Sequence, residues 1–111
     1  VIGDNVEIGS KCTIPRGTIG DTVIGNNVKL DDQVHFAHNV VAEEDTIITA
    51  CAEISGGVHI GRNCWIAPNV SIIQKVSIEE DSIIGVGAVV IKNVEKGSVV
   101  AGNPAKLLRK I

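Results

Sequence analysis

The chain has 111 residues, with 10 lysines and arginines against 13 aspartates and glutamates, which gives a formal net charge of −3. This length fits one small domain, and the weakly acidic balance excludes a general nucleic-acid binder, which would show a basic surplus. No apolar run approaches the roughly 20 residues of a membrane-spanning helix, so we expect neither nucleic acid nor a membrane as a partner.

The most informative feature of the sequence is an apolar residue at every sixth position. The series runs from Ile2 to Ile14, takes two five-residue steps through Ile19, and then continues without interruption from Ile24 to Val90. A period of six fits neither an α-helix nor a simple two-stranded ribbon. It fits a β-solenoid in which each hexad forms one short strand and one corner, and three hexads form one triangular coil.

A second series, four residues after each of these positions, is never charged and never larger than valine. We expect the bulky side chains to fill the interior and the small ones to fit beneath the corners, where glycine, asparagine and aspartate adopt positive φ at low cost. The predicted fold is all-β: a parallel β-helix domain over residues 1–95, followed by a loop and a short tail or helix over residues 96–111. Each residue should stack on the one 17 or 18 positions away.

The hexads resemble those of the hexapeptide-repeat acyltransferases, and two stretches narrow the resemblance. Residues 16–26 (RGTIGDTVIGN) and residues 30–40 (LDDQVHFAHNV) are similar to the UDP-3-O-acylglucosamine N-acyltransferases of lipid A synthesis. The resemblance implies a left-handed parallel β-helix that assembles as a homotrimer. It also implies transfer of an acyl group from a thioester donor to the amino group of a nucleotide-linked amino sugar, with no metal and no permanently bound cofactor.

The same resemblance places the catalytic general base at His38, in the Ala-His-Asn-Val run. Stacking by 17 residues would put Asp21 one strand away, where its carboxylate could orient the imidazole and support its charged form. His35, Asn39 and Lys75 are the candidate substrate contacts. Lys75 stands where the family commonly has a histidine, and a lysine there suits an anionic phosphate or carboxylate better than base catalysis near neutral pH.

The C-terminal segment points to the acyl donor. Residues 97–106 (GSVVAGNPAK) resemble acetyl-CoA-dependent sugar and serine acetyltransferases, in which this segment helps to hold coenzyme A. Residues 92–111 contain five cations and one acid, a net charge of +4, whereas residues 1–91 contain five cations and twelve acids, a net charge of −7. A basic end on an acidic rod attracts phosphates, so the donor is expected to be acyl-CoA or acyl carrier protein. The candidate donor contacts are Gly102, Asn103, Pro104, Lys106 and Arg109.

Several outward positions are apolar and need cover, which agrees with the implied homotrimer. They include Val41, Ile47, Trp65 and Ile83. Trp65 can instead stack on a nucleotide base, because an exposed tryptophan favours a ring or an interface over water. Under the trimeric interpretation, the active site lies in the groove between subunits.

Two other functions remain open at this point. A γ-class carbonic anhydrase uses the same solenoid with three histidines on zinc, but the spacing of His35, His38 and His59 does not match that family. A trimeric structural or ice-binding solenoid is the other, although the outward threonines form no regular rank. His59 is expected on a different face from His38, as a surface residue. The three cysteines form no CxxC pair, which favours a reducing cytoplasm over a disulfide framework.

Overall fold

The repeat folds as predicted into a solenoid of very short strands. In the computed structural model, which describes residues 1–111, thirteen two-residue strands precede two longer ones, and no segment is helical. There is accordingly no helix suited to crossing a membrane. The strands are β1 (Glu7–Ile8), β2 (Val23–Ile24), β3 (Lys29–Leu30), β4 (His35–Phe36), β5 (Val41–Ala42), β6 (Ile47–Ile48), β7 (Glu53–Ile54), β8 (His59–Ile60), β9 (Trp65–Ile66), β10 (Ser71–Ile72), β11 (Ser77–Ile78), β12 (Ile83–Ile84), β13 (Val89–Val90), β14 (Ser98–Ala101) and β15 (Lys106–Lys110).

The strands form three sheets, which are the three faces of the triangle. The first face contains β1, β3, β6, β9, β12, β14 and β15, the second contains β4, β7, β10 and β13, and the third contains β2, β5, β8 and β11. All pairings between coils are parallel, and successive coils from β2 to β13 align residues 18 positions apart, as in the pair Val23 and Val41. Only the final pair, β14 with β15, is antiparallel.

The interior consists of the two predicted series. A single core of 24 buried residues includes Phe36, Ile54 and Ile72 from the bulky series and the valines of the small one. Polar members of the small series are satisfied, since the buried Thr46 hydroxyl donates to the carbonyl oxygen of Gly61 at 2.8 Å. Burial also raises the pKa of the Cys64 thiol to about 11, so this residue packs as a small apolar group.

The corners require a left-handed backbone, and residue types that tolerate it occupy most of them. Eleven non-glycine residues have positive φ, five of them asparagines, including Asn39 at 60°. Lys75 has the same conformation at 61°, and Gly57 stands between the two in the column at 70°. Each corner therefore points the side chains of two successive residues outward, and the corners that follow the second face form the candidate site.

The first coil differs from the expectation of 17- or 18-residue stacking. Ile2 pairs with Ile24 and Thr13 with His35, both 22 positions apart, so this coil is four residues longer than the others from β2 to β13. The extra residues form a projecting loop over residues 15–20, and Ile19 at its tip is 90% exposed. The expectation that Ile19 continues the interior series is therefore wrong, because a five-residue step cannot close a hexad corner and the chain bulges outward instead.

The C-terminal segment contains a strand where a short helix was considered. β14 continues the first face in parallel with β12, and after the turn at residues 102–104 the chain returns as β15 along the outer edge of β14. The helix is absent because the last strand of an open sheet exposes unpaired backbone groups, and an antiparallel partner satisfies them.

Candidate functional site

His38 lies at the corner that follows β4 and points across the next coil. A Cβ atom at Gly56 would lie 2.9 Å from both Cε1 and Nε2 of the His38 ring. The imidazole therefore rests directly over a position where any side chain would displace it. Gly56 is the residue that leaves room for the ring, and Nε2 has no hydrogen-bond partner within the chain.

A depression surrounds this ring. Its walls come from the projecting loop and from three successive coils at the same corner: Thr18, Ile19, His38, Asn39, Gly56, Gly57, Gln74 and Lys75. The two glycines form a notch between His38 in the coil before and Lys75 in the coil after. The structure thus unites three of the predicted site residues, His38, Asn39 and Lys75.

Lys75 supplies positive charge at the lower edge of the notch. A Cβ atom at Gly57 would lie 3.3 Å from Cγ of Lys75, so the aliphatic stem of the lysine packs across this glycine. Lys75 forms no ion pair, although five other ion pairs occur on the surface. Its ammonium group is therefore available to an anionic ligand.

Asn39 joins the histidine to the projecting loop. Its side-chain Oδ1 accepts a hydrogen bond from the Thr18 N–H at 3.0 Å and lies 3.2 Å from His38 Nδ1. Its Nδ2 donates to the Ile19 carbonyl at 2.6 Å, and its backbone N–H donates to Oγ1 of Thr22 at 2.9 Å. Sequence reasoning assigned Asn39 to substrate contact and missed this bridging position, because no repeat pattern reveals where an inserted loop folds back.

Asp21 does not occupy the predicted position beside His38. No hydrogen bond or ion pair joins the two, and Asp21 lines a separate depression with Ile14, Arg16 and Thr22. The reason is the longer first coil: its 22-residue offset replaces the 17-residue stacking on which the expectation depended. The orienting partner within reach of the imidazole is the amide of Asn39.

His35 and His59 lie outside this depression. His35 is an exposed outward residue of β4, paired in register with Glu53 on the second face. His59 is half-exposed on the third face, as expected of a surface residue, and its Nε2 contacts a carboxylate oxygen of Glu43. No group of three or more histidine, cysteine, aspartate or glutamate side chains is arranged to hold a metal ion.

The C-terminal candidates divide between two places. Gly102, Asn103 and Pro104 form the exposed turn between β14 and β15, and Arg109 is an exposed residue opposite Val99. Lys106 instead lines a depression at the open end of the solenoid core, together with Lys92, Asn93 and Leu107. The basic residues of this end are thus distributed over a surface, with two lysines meeting at one depression.

Comparison with known proteins adds independent information. Residues 57–92 match the family described as bacterial transferase hexapeptide (six repeats), and residues 1–31 match the hexapeptide repeat of succinyl-transferase. Among curated proteins, the UDP-3-O-acylglucosamine N-acyltransferase of Hahella chejuensis is 40% identical over 105 residues, which are 95% of this chain and 30% of that protein. The chain therefore spans about 30% of the length of this relative.

Solved structures agree on the fold. The UDP-N-acetylglucosamine O-acyltransferase of Moraxella catarrhalis superimposes with a TM-score of 0.94 at 33% identity, covering 98% of this chain and 44% of that one. A galactoside acetyltransferase in complex with coenzyme A superimposes with a TM-score of 0.86 at 23% identity, covering 99% and 64%. At that identity the second match speaks for the fold alone. The predicted left-handed parallel β-helix is confirmed.

Proposed function

Because the chain belongs to the hexapeptide-repeat transferase family, we propose that it carries the acyl-transfer site of an N-acyltransferase that acts on a nucleotide-linked amino sugar. The name of the Hahella relative motivates the choice of acceptor. The observation that carries the proposal is the His38 ring, which has an unpartnered Nε2 over the open notch at Gly56. A nitrogen in that position can accept a proton from a group that enters the notch.

In the proposed reaction, the amine of the sugar attacks the carbonyl carbon of a thioester. The C–N bond forms and the C–S bond breaks, and the amine must lose a proton as it bonds to carbon. His38 Nε2 takes that proton and passes it to the departing thiolate. An imidazole suits this task because histidine titrates near neutral pH.

Stabilisation of the developing oxyanion is assigned to a backbone amide at the notch. The Gly56 N–H has no acceptor within the chain, unlike the Gly57 N–H, which donates to the His38 carbonyl at 3.0 Å. A fixed N–H beside the reacting carbon costs no reorganisation when charge develops. Lys75 is proposed to bind an anionic group of the acceptor or the donor at the same notch.

The donor is proposed to be acyl-CoA or acyl carrier protein, and both present phosphopantetheine with phosphate. The two lysines at the open end of the core, Lys92 and Lys106, support this assignment, with Arg109 and the turn at residues 102–104 as further contacts. Opposite charge attracts phosphates from solution. Acyl chain length and the identity of the sugar follow from the assay below.

A homotrimer with the site between subunits is the assembly that we propose. On the first face, Ile47, Trp65 and Ile83 stack in register as outward residues, with Ile47 39% and Trp65 41% exposed. An apolar column of this kind is typical of a covered interface. Sedimentation at micromolar concentration tests the proposal, and a stable monomer would contradict it.

The function is tested by incubating the protein with a UDP-linked amino sugar and either acyl-CoA or acyl carrier protein, and measuring the amide product by mass spectrometry. We expect His38→Ala to lower kcat by roughly two to four orders of magnitude, the usual contribution of a general base. His59→Ala is the matched control, because it removes a half-exposed imidazole from a different face. Normal turnover without His38, or equal losses in both variants, would overturn the assignment.

A further inference from the structure

We propose that Asn39 is a positioning residue that holds the neutral imidazole of His38 in the tautomer with its proton on Nδ1. Nε2 is then a free acceptor over Gly56, and the orientation of the ring is tied to the projecting loop at residues 15–20. This inference rests on the proposed role of His38 as the base, but it makes a statement about proton placement that can be measured without turnover.

The first step is the orientation of the Asn39 amide, which two backbone partners determine. Oδ1 accepts from the Thr18 N–H at 3.0 Å, while Nδ2 donates to the Ile19 carbonyl at 2.6 Å. Exchanging the two amide atoms would place a donor against the Thr18 donor and an acceptor against the Ile19 acceptor. Both hydrogen bonds would be lost, so the oxygen is the atom that faces Thr18.

The second step follows from that orientation. The same Oδ1 lies 3.2 Å from His38 Nδ1, and an amide oxygen can only accept. A neutral imidazole has one N–H and one lone pair, and an attractive contact here requires the N–H on Nδ1. The lone pair is then on Nε2, which is the nitrogen that lies over the notch at Gly56.

The third step concerns the loop. A Cβ atom at Gly17 would lie 2.2 Å from the Gly20 carbonyl oxygen and 2.7 Å from Nδ2 of Asn39. The loop therefore folds closely around the asparagine side chain, with glycine where the chain comes nearest to it. Through these contacts, the amide that faces the imidazole is held by the loop that forms one wall of the depression.

The test uses two substitutions that separate the two roles of this side chain. Asn39→Ala removes every side-chain contact. Asn39→Asp keeps an acceptor for Nδ1 and for the Thr18 N–H, but it replaces the donor to the Ile19 carbonyl with a carboxylate oxygen, which repels that carbonyl. Aspartate tolerates the corner backbone, since Asp45 and Asp81 have φ of 60° at equivalent corners. Asn69→Ala, at another corner with φ of 61°, is the control for loss of a corner asparagine.

The direct readout is the ¹⁵N spectrum of His38 at about pH 9, where imidazoles are neutral, with the signal assigned by its loss in His38→Gln. We expect the proton on Nδ1 in the wild type, in Asn39→Asp and in Asn69→Ala, and a shift of the proton towards Nε2 in Asn39→Ala. A wild-type protein with the proton mainly on Nε2 would overturn the proposal, whatever its activity.

The kinetic readout is the separation of kcat from KM. A histidine base with the wrong tautomer cannot accept the proton, so we expect Asn39→Ala to lower kcat by roughly tenfold or more with little change in KM. Asn39→Asp should recover most of kcat. Equal losses in Asn39→Asp and Asn39→Ala would show that the asparagine acts only by holding the loop and would overturn the positioning role. If His38→Ala is fully active, the proposed function fails, and the spectrum still decides the tautomer.

Discussion

Two histidines of this chain have a polar partner, and the partners lead to different chemistry. His38 faces the neutral amide of Asn39 through Nδ1, and its Nε2 lies free over Gly56. His59 contacts the Glu43 carboxylate through Nε2. A carboxylate beside a histidine is the more familiar sign of a catalytic base. Here that sign marks a solvated surface pair, whereas the amide-linked histidine retains a free nitrogen next to open space.

The surroundings of the two histidines sharpen the contrast. Near His59, the third face and its corner have a chain of ion pairs in which Glu80 accepts from Arg62 Nε at 2.8 Å and lies 3.6 Å from Lys96 Nζ. Exposed pairs of this kind contribute little to stability because water screens them. Near His38, two glycines open a notch and Lys75 has no acidic partner. One region compensates its own charges, and the other leaves a base and a cation uncompensated.

The largest effect in this comparison is expected from Gly56→Ala. The new Cβ would lie 2.9 Å from the His38 ring, whose side chain can rotate away, so the protein should fold while the base leaves its position. We expect kcat to fall by roughly tenfold or more, since a small displacement of a catalytic group is costly. A Gly56→Ala protein with wild-type kcat would show that the position of the ring over Gly56 is irrelevant to turnover.

Gly61→Ala probes the equivalent glycine near His59. Its Cβ would lie 2.7 Å from the backbone nitrogen of Glu80, which cannot rotate away as a side chain does. We expect a loss of about 1–3 kcal/mol in the free energy of unfolding, typical of overpacking, with unchanged kcat for the folded protein. Chemical denaturation measures the first quantity. A stable Gly61→Ala protein would show that successive coils can separate locally without cost.

The smallest effect is expected from the ion pairs on the third face. The hydrogen bond from Arg62, together with the charge of Lys96, lowers the pKa of the Glu80 carboxyl. A carboxyl with a depressed pKa stabilises the fold above its unfolded-state pKa, and the contribution disappears as pH falls through the folded-state pKa. Glu80→Gln should therefore lower Tm slightly at about pH 7 and not at about pH 3. An equal decrease at both pH values would indicate lost packing instead of lost charge.

The sequence was a sound guide to the regular part of the molecule and a poor one at its single irregular coil. The hexads from Ile24 to Val90 predicted the buried positions because each apolar residue has only the narrow interior to occupy. Ile19 looked like one more member of that series and is instead 90% exposed. Asp21 was placed beside His38 by the same arithmetic, and the error has the same origin in the four additional residues of the first coil.

The period of six by itself determined the parallel solenoid, its interior, and the corner on which His38, Gly56 and Lys75 align, since side chains at a constant spacing along stacked coils must form columns. Only the tertiary structure decided the partner of His38. Asn39 reaches the imidazole and the Thr18 and Ile19 backbone together because the loop folds back onto the following coil. The conformation of an inserted loop depends on contacts between residues about 20 positions apart, and a local repeat contains no record of them.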